Sequence, residues 1–181
     1  MNEITRFEAH PYDRLTVVFT YVLTPLLFIA LAAKCYSDFS SYCAQGLWID
    51  ACIVVVFFLF IAGVFVLMYM LSVGYYIISF SEIIIVRKVL GSFGIPLATI
   101  NSVAVVEKPG IAFRVLAYAA MWGYYGRFFS EDDNRTVRIY ATNLRNMVRI
   151  ETTDGKIFYL SPAEPEKFVE AVKQRLHKTE P

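Results

Sequence analysis

Histidine and cysteine are scarce in this chain, two and three residues of 181, and that scarcity excludes most catalytic and metal-binding chemistry. His10 and His177 lie near opposite ends, and neither sits in a Ser/His/Asp or Cys/His setting. Cys35, Cys43 and Cys52 show no CxxC or Cys/His zinc spacing. There is no GxxxxGK(S/T) phosphate loop, no GxGxxG and no HExxH. The acidic run Glu131-Asp132-Asp133 lacks an EF-hand pattern and reads as a solvated turn. The expectation is a non-enzymatic protein that carries no metal and no cofactor.

Charge is missing from two long stretches, Leu15 to Ala33 and Ala51 through Phe80. A bilayer core needs about 20 mostly apolar residues in a helix, so each stretch is long enough to cross. With a hydrophobic content of 57% and a mean hydropathy of +0.50 the chain is too apolar for an ordinary soluble domain, and the excess sits almost entirely before residue 80. Transmembrane helices are expected over about 15–33 and 49–72. The first run also resembles a secretory signal ending in Ala30-Leu31-Ala32. Its apolar stretch exceeds the usual signal core, however, and Glu3, Glu8 and Asp13 precede it, so a retained helix is expected. Pro25 is tolerable in a membrane helix. Trp48 and Asp50 mark the outer end of the second helix. No charge lies in the middle of either helix, which argues against transport by the hairpin alone.

Basic residues set the orientation: Arg6 and Arg14 precede the first helix, Lys34 alone lies in the connection, and Arg87 and Lys88 follow the second. The connection is therefore expected outside, with both termini cytoplasmic. Cys52 reads as a small buried hydrophobe, whereas Cys35 and Cys43 flank the outer loop and are candidates for a disulfide if that side is oxidising.

Past residue 73 the apolar pattern becomes short and alternating. Tyr75 to Ser79 and Glu82 to Lys88 read as a β-hairpin, and Ile100 to Glu107 as a third strand. Leu90 to Gly94 reads as a break, and Pro96 excludes Ile95-Pro96-Leu97 from a central strand. Thr136 to Thr142 alternates, and Met147 to Thr152 with Lys156 to Leu160 forms a hairpin around Asp154-Gly155. A two-residue loop there pairs Thr152 with Ile157 and Ile150 with Tyr159, although both faces are apolar enough to leave the register open. The chain closes with a helix from Pro165 bearing the stripe Phe168, Val169, Val172 and Leu176, with His177 and Lys178 complementing its dipole. Two parts result: a tail with a helical hairpin over 1–72, and a polar domain over 73–181.

Five motifs in order, GSFGIPLATINSV, the aromatic run Trp122 to Phe128, VRIYATN, DGKIFYLSP and Pro165-Glu166-Lys167-Phe168-Val169, are similar to the bacterial pleckstrin-homology-like (PH-like) domain family found on small membrane proteins. The resemblance covers about residues 73 to 177. It implies an α+β membrane protein, with two transmembrane helices followed by a PH-like antiparallel β-barrel or sandwich and one C-terminal amphipathic helix. It also implies a bacterial inner membrane as the location. It supplies no reaction and no ligand.

The segment Ile111 to Phe129 is too apolar for a surface loop and too short to span. Two readings stand. Arg114, Trp122, Tyr124, Tyr125, Arg127 and Phe128 form a membrane-interface or binding surface, or they belong to a strand pair whose aromatics fill the barrel, with Gly123 and Gly126 allowing a bulge. Arg87 and Lys88 lie where PH-type lipid binders carry phosphate ligands, but the loop that follows, LGSFG, adds no further base. Arg138 and Arg149, expected on facing strands, complete the candidate anion or partner contacts.

From Ser81 onward 14 Lys plus Arg stand against 11 Asp plus Glu, too little basic charge for a nucleic-acid partner. The expected role is a binding or assembly module at the cytoplasmic face. Its partners would be the lipid bilayer together with a protein or a further copy of the chain. The alternative is an accessory or regulatory subunit of a transporter or membrane enzyme complex.

Overall fold

The computed structural model describes residues 4–119 and 121–179. Strand β1 (Thr5–Glu8) comes first, ahead of helices α1 (Arg14–Ala44) and α2 (Trp48–Leu71). Both helices are long and apolar enough to cross a membrane. Asp13 caps α1 by accepting from the Thr16 amide at 2.6 Å. The helix widens into a π turn over Phe19–Leu23, next to Pro25, which cannot donate to the preceding turn. The Phe19 carbonyl there accepts both the Thr24 amide and the Thr24 hydroxyl, the latter at 2.6 Å.

Helix α1 runs 11 residues past its expected end, held in part by the Lys34–Asp38 pair one turn apart. The connection shrinks to Gln45–Leu47, and Cys35 and Cys43 become neighbours on one helix rather than the flanks of a loop. Eight residues of helix separate their backbones by about 12 Å, far beyond the roughly 4.4–6.8 Å that a disulfide bridges. Both thiols are free, so the candidate bridge within the chain is not formed. Cys52, expected to be buried, is exposed on the surface of α2.

The remaining strands are β2 (Val73–Ile78), β3 (Glu82–Arg87), β4 (Ser92–Pro96), β5 (Ile100–Val106), β6 (Ile111–Ala119), β7 (Tyr124–Ser130), β8 (Arg135–Ala141), β9 (Met147–Thr152) and β10 (Ile157–Leu160). Helix α3 (Pro165–Thr179) ends the described chain. They form a four-stranded sheet, β1-β2-β3-β4, and a six-stranded sheet, β5-β9-β10-β8-β7-β6. Neither closes into a barrel, so the barrel form of the expected fold is corrected to two open sheets. Pro96 ends β4, and Leu97–Thr99 turns the chain away before β5, which pairs with β9 instead. The edges β5 and β6 of the larger sheet are joined by only 107–110, so the sheet curls upon itself without closing.

Alternation gives the six-stranded sheet two apolar faces. One packs Val148, Ile150, Phe158 and Leu160 against the smaller sheet and α3; the other curls round Phe128, Val137, Ile139, Met147 and Tyr159. Phe168 and Val172 of α3 are fully buried, and the Phe168 ring meets Phe7 at 5.1 Å and Tyr76 at 6.0 Å. The Tyr76 hydroxyl donates to the Tyr140 carbonyl at 2.8 Å and accepts from the Ser161 amide at 3.1 Å. Complete burial pushes its pKa up to about 12. The side chains of His177 and Lys178 lie outside the described residues.

Two local expectations change. Ile157 pairs with Glu151 and Phe158 with Ile150, one residue away from the two-residue-loop register. The loop has three residues, Thr153 to Gly155, because the Thr152 amide bonds back to the Lys156 carbonyl at 2.9 Å and Gly155 takes the left-handed position (φ 77). The tail is not separate from the polar domain either. Strand β1 pairs antiparallel with β2, and the Thr142 hydroxyl and Asn143 side chain hold the His10 and Pro11 carbonyls.

Candidate functional site

Ile111 to Ser130 forms a strand pair, β6 with β7, whose turn reaches down onto the helical hairpin. Trp122 adopts a left-handed backbone (φ 56), and Gly123 follows at φ 115. A Cβ at Gly123 would lie 2.5 Å from the Ala141 carbonyl oxygen, so only glycine lets the turn pass that close to β8. The Trp122 amide donates to the Thr20 hydroxyl at 3.1 Å, and its ring meets Tyr69 at 5.8 Å and Phe65 at 6.4 Å, both edge-on. Thr24 donates to the Met121 sulfur. Beside the turn, the Tyr124 hydroxyl donates to Asp13 at 3.0 Å, so the residue that caps α1 also ties the domain to it.

The residues of α1 that receive this hairpin were not singled out from the sequence. Thr16, Thr20 and Thr24 are 0%, 6% and 8% exposed, while Tyr21 beside them is 63% exposed. Their spacing of four puts them on one helix face. That spacing, inside an otherwise apolar run, was the available signal.

The candidate surface residues divide. Phe128 and Tyr124 are buried in the second core, as the strand-pair reading holds. Tyr125 is half-buried opposite Tyr140, and Arg114 and Arg127 are exposed. Arg114 lines a cleft of about 450 Å³ with Phe113, Tyr124, Phe128 and Leu144. Arg127 is the cross-strand partner of Arg138, and cross-strand partners share a face. Phe113 and Phe129 stack nearby, 4.9 Å apart and 7° from parallel. Arg138 lies over the Phe158 ring at 5.5 Å. Among the described residues, neither Arg127 nor Arg138 forms an ion pair.

The other basic candidates go elsewhere. Lys88 donates to the Tyr12 hydroxyl at 2.7 Å and sits 4.7 Å over the Tyr69 ring, at the end of α2, while Arg87 beside it is half-buried. Arg149 does not face Arg138. Strand β10 separates β8 from β9, and Arg149 shares the Tyr159 face while Arg138 shares the Phe158 face. Arg149 is bound by Asp133 at 2.8 Å and Glu151 at 3.0 Å. Asp133, expected in a solvated turn, also accepts from Tyr159 at 2.8 Å and Ser130 at 3.1 Å. Burial opposes its ionisation, but Arg149, Tyr159 and Ser130 together outweigh that and hold its carboxyl below the usual range. Burial and the Asp133 charge push the Tyr159 hydroxyl well above the ordinary tyrosine value. Among the described residues, no three His, Cys, Asp or Glu side chains gather to hold a metal ion.

The family profile described as bacterial PH domain matches residues 75–176, more than half of the chain. Searches of curated proteins and of solved structures found no match. The matched span begins two residues into β2 and ends within α3, so it takes in the second to tenth strands, both faces of the six-stranded sheet and the closing helix. On that match, the chain belongs to the bacterial PH domain family.

Proposed function

We propose that this chain is a non-enzymatic binding module mounted on the cytoplasmic face of a bacterial inner membrane, crossing it twice with both termini inside. PH domains serve in general as binding modules, which supports the module role. One observation carries the mounting: β1 precedes the helical hairpin, β2 follows it, and the two are hydrogen-bonded neighbours in one sheet. A hairpin whose two ends return to the same sheet leaves both flanks on one side of whatever it crosses. The basic flanks Arg6, Arg14, Arg87 and Lys88 support the cytoplasm as that side.

The partner is a protein carrying acidic groups, received on the face of β7 and β8 where Arg127 stands opposite Arg138. Like charges directly opposed on a sheet cost stability unless an anion lies between them, and the stacked Phe113 and Phe129 beside them offer apolar contact. A photo-crosslinker at Phe113, activated in native membranes, should capture a protein through this face. Capture should be lost in Arg127→Glu/Arg138→Glu, and unchanged capture by that variant overturns the assignment of the face. A self-crosslink would make the partner a second copy, and a stoichiometric transporter or enzyme would make the chain its accessory subunit. A reporter fused after Pro181 that is active only in the periplasm overturns the orientation.

A further inference from the structure

We infer that the tip of the β6–β7 hairpin, at Met121 and Trp122, is a third membrane-penetrating element, inserted among the acyl chains of the leaflet nearest the domain and braced against α1. This rests on the reading that the two helices cross a bilayer. Two independent rulers set the depth. Along α1, Thr20 and Thr24 lie six and ten residues beyond Arg14, or about 9 and 15 Å. Along α2, the ring partners Tyr69 and Phe65 lie two and six residues before Leu71, or about 3 and 9 Å. The 24 residues of α2 extend about 36 Å, against a hydrocarbon core of about 30 Å. Even with the whole excess on the domain side, the Phe65 contact lies within hydrocarbon.

The hydrogen bonding fits that depth. Strand backbone in hydrocarbon is tolerated only where protein satisfies it. Tyr124 and Ala119 are paired in the ladder, and the Trp122 amide, beyond the ladder, is taken by Thr20. This accounts for an inverted burial pattern on α1, where the threonines are covered and the apolar neighbours are bare. Thr20 does for the Trp122 amide what water does in an ordinary turn.

The surroundings between the tip and the domain are apolar. Val89 and Leu90, whose amides bond to the Met70 carbonyl at the end of α2, are exposed, as are Leu15 and Val18 in the first turns of α1. A bare apolar collar at the junction of helices and domain is suited to lipid and not to water. Arg127, three residues up β7 from Tyr124 and so about 10 Å farther out, is placed near the headgroups.

The chain has two tryptophans, Trp48 and Trp122, which makes depth measurable. In the full chain with Trp48→Phe, reconstituted in phosphatidylcholine–phosphatidylglycerol vesicles, emission from Trp122 should be quenched most by lipids brominated on the upper acyl chain. It should also be protected from aqueous iodide. Quenching by iodide or by a headgroup-borne quencher, without quenching by acyl bromines, overturns the inference. Trp48→Tyr replaces Trp48→Phe if the latter does not fold. A companion chain with Trp48→Phe, Trp122→Phe and Leu59→Trp reports on the helices themselves. Deep quenching there with a shallow Trp122 overturns only the inserted tip, whereas no acyl quenching at either position overturns the membrane reading with it.

Discussion

Arg149 and Arg127 stand on the same six-stranded sheet in opposite circumstances. Arg149 is enclosed by Asp133, Glu151 and, through Asp133, Tyr159 and Ser130. Arg127 has Arg138 and Leu116 as its cross-strand partners and forms no ion pair among the described residues. In the first case every charge has a partner inside the fold, so the residue is structural. In the second, two like charges stand opposed on β7 and β8 with no ion pair among the described residues, and it is this pair that the proposed acidic partner would compensate. A basic residue's role here follows from which face its strand turns it to, and from what the neighbouring strand brings there.

The largest effect should come from opening the compensated cluster. Arg149→Met strands Asp133, whose side chain is 8% exposed, and should cost about 3 kcal/mol, read as a lowered midpoint in thermal unfolding of the detergent-solubilised chain. The double variant Arg149→Met/Asp133→Leu should recover part of that loss; no recovery would mean that the pair is not the unit described. Next, Tyr159→Phe removes one hydrogen bond to Asp133 and should cost about 1–2 kcal/mol.

The same cluster should show in the pH dependence. Because the Asp133 pKa is lower folded than unfolded, its contribution is present above the unfolded value and is lost as pH falls through the folded one. Stability should therefore drop on acidification, and less so in Asp133→Asn. An unchanged acid profile in that variant would break the assignment. The smallest effect on stability belongs to the other arginine. Arg127→Leu should change it by no more than about 0.5 kcal/mol, or raise it by relieving Arg138, while photo-crosslinking from Phe113 is lost. A loss of stability as large as that of Arg149→Met would erase the contrast.

Much of the fold was legible because its signals are local. The alternation of 75–79, 82–88, 100–107 and 136–142 marks strands that exist with small shifts at their ends, and the stripe on 165–176 marks the closing helix. What escaped is non-local. The tail strand β1 has four residues and no partner within 60 positions along the chain, so nothing near it in sequence announces a sheet. The Asp154-Gly155 turn was visible but its register was not, since both faces of β10 are buried and alternation cannot choose between them. The length of α1 past residue 33, which keeps Cys35 and Cys43 apart, was not legible because Lys34 and Asp38, four apart, are as compatible with a continuing helix as with a loop.

The candidate site was partly visible in the same way. The composition of 111–129 marked it as unusual, and the structure divides its residues between a core, a turn braced on the helices and an exposed face. The threonine stripe on α1 needs its partner hairpin to be recognised, and that partner lies about a hundred residues away.

By itself, the sequence determined the periodic elements, the two apolar helices and the membership in a family of binding domains, because apolar spacing and run length act within a few turns of chain. Only the tertiary structure decided that the sheets stay open and that the tail joins the first of them. It also decided that Trp122 rests on α1 and that Arg127 meets Arg138 instead of a carboxylate. Those outcomes depend on strand order, and strand order is set by the packing of distant segments against a shared core.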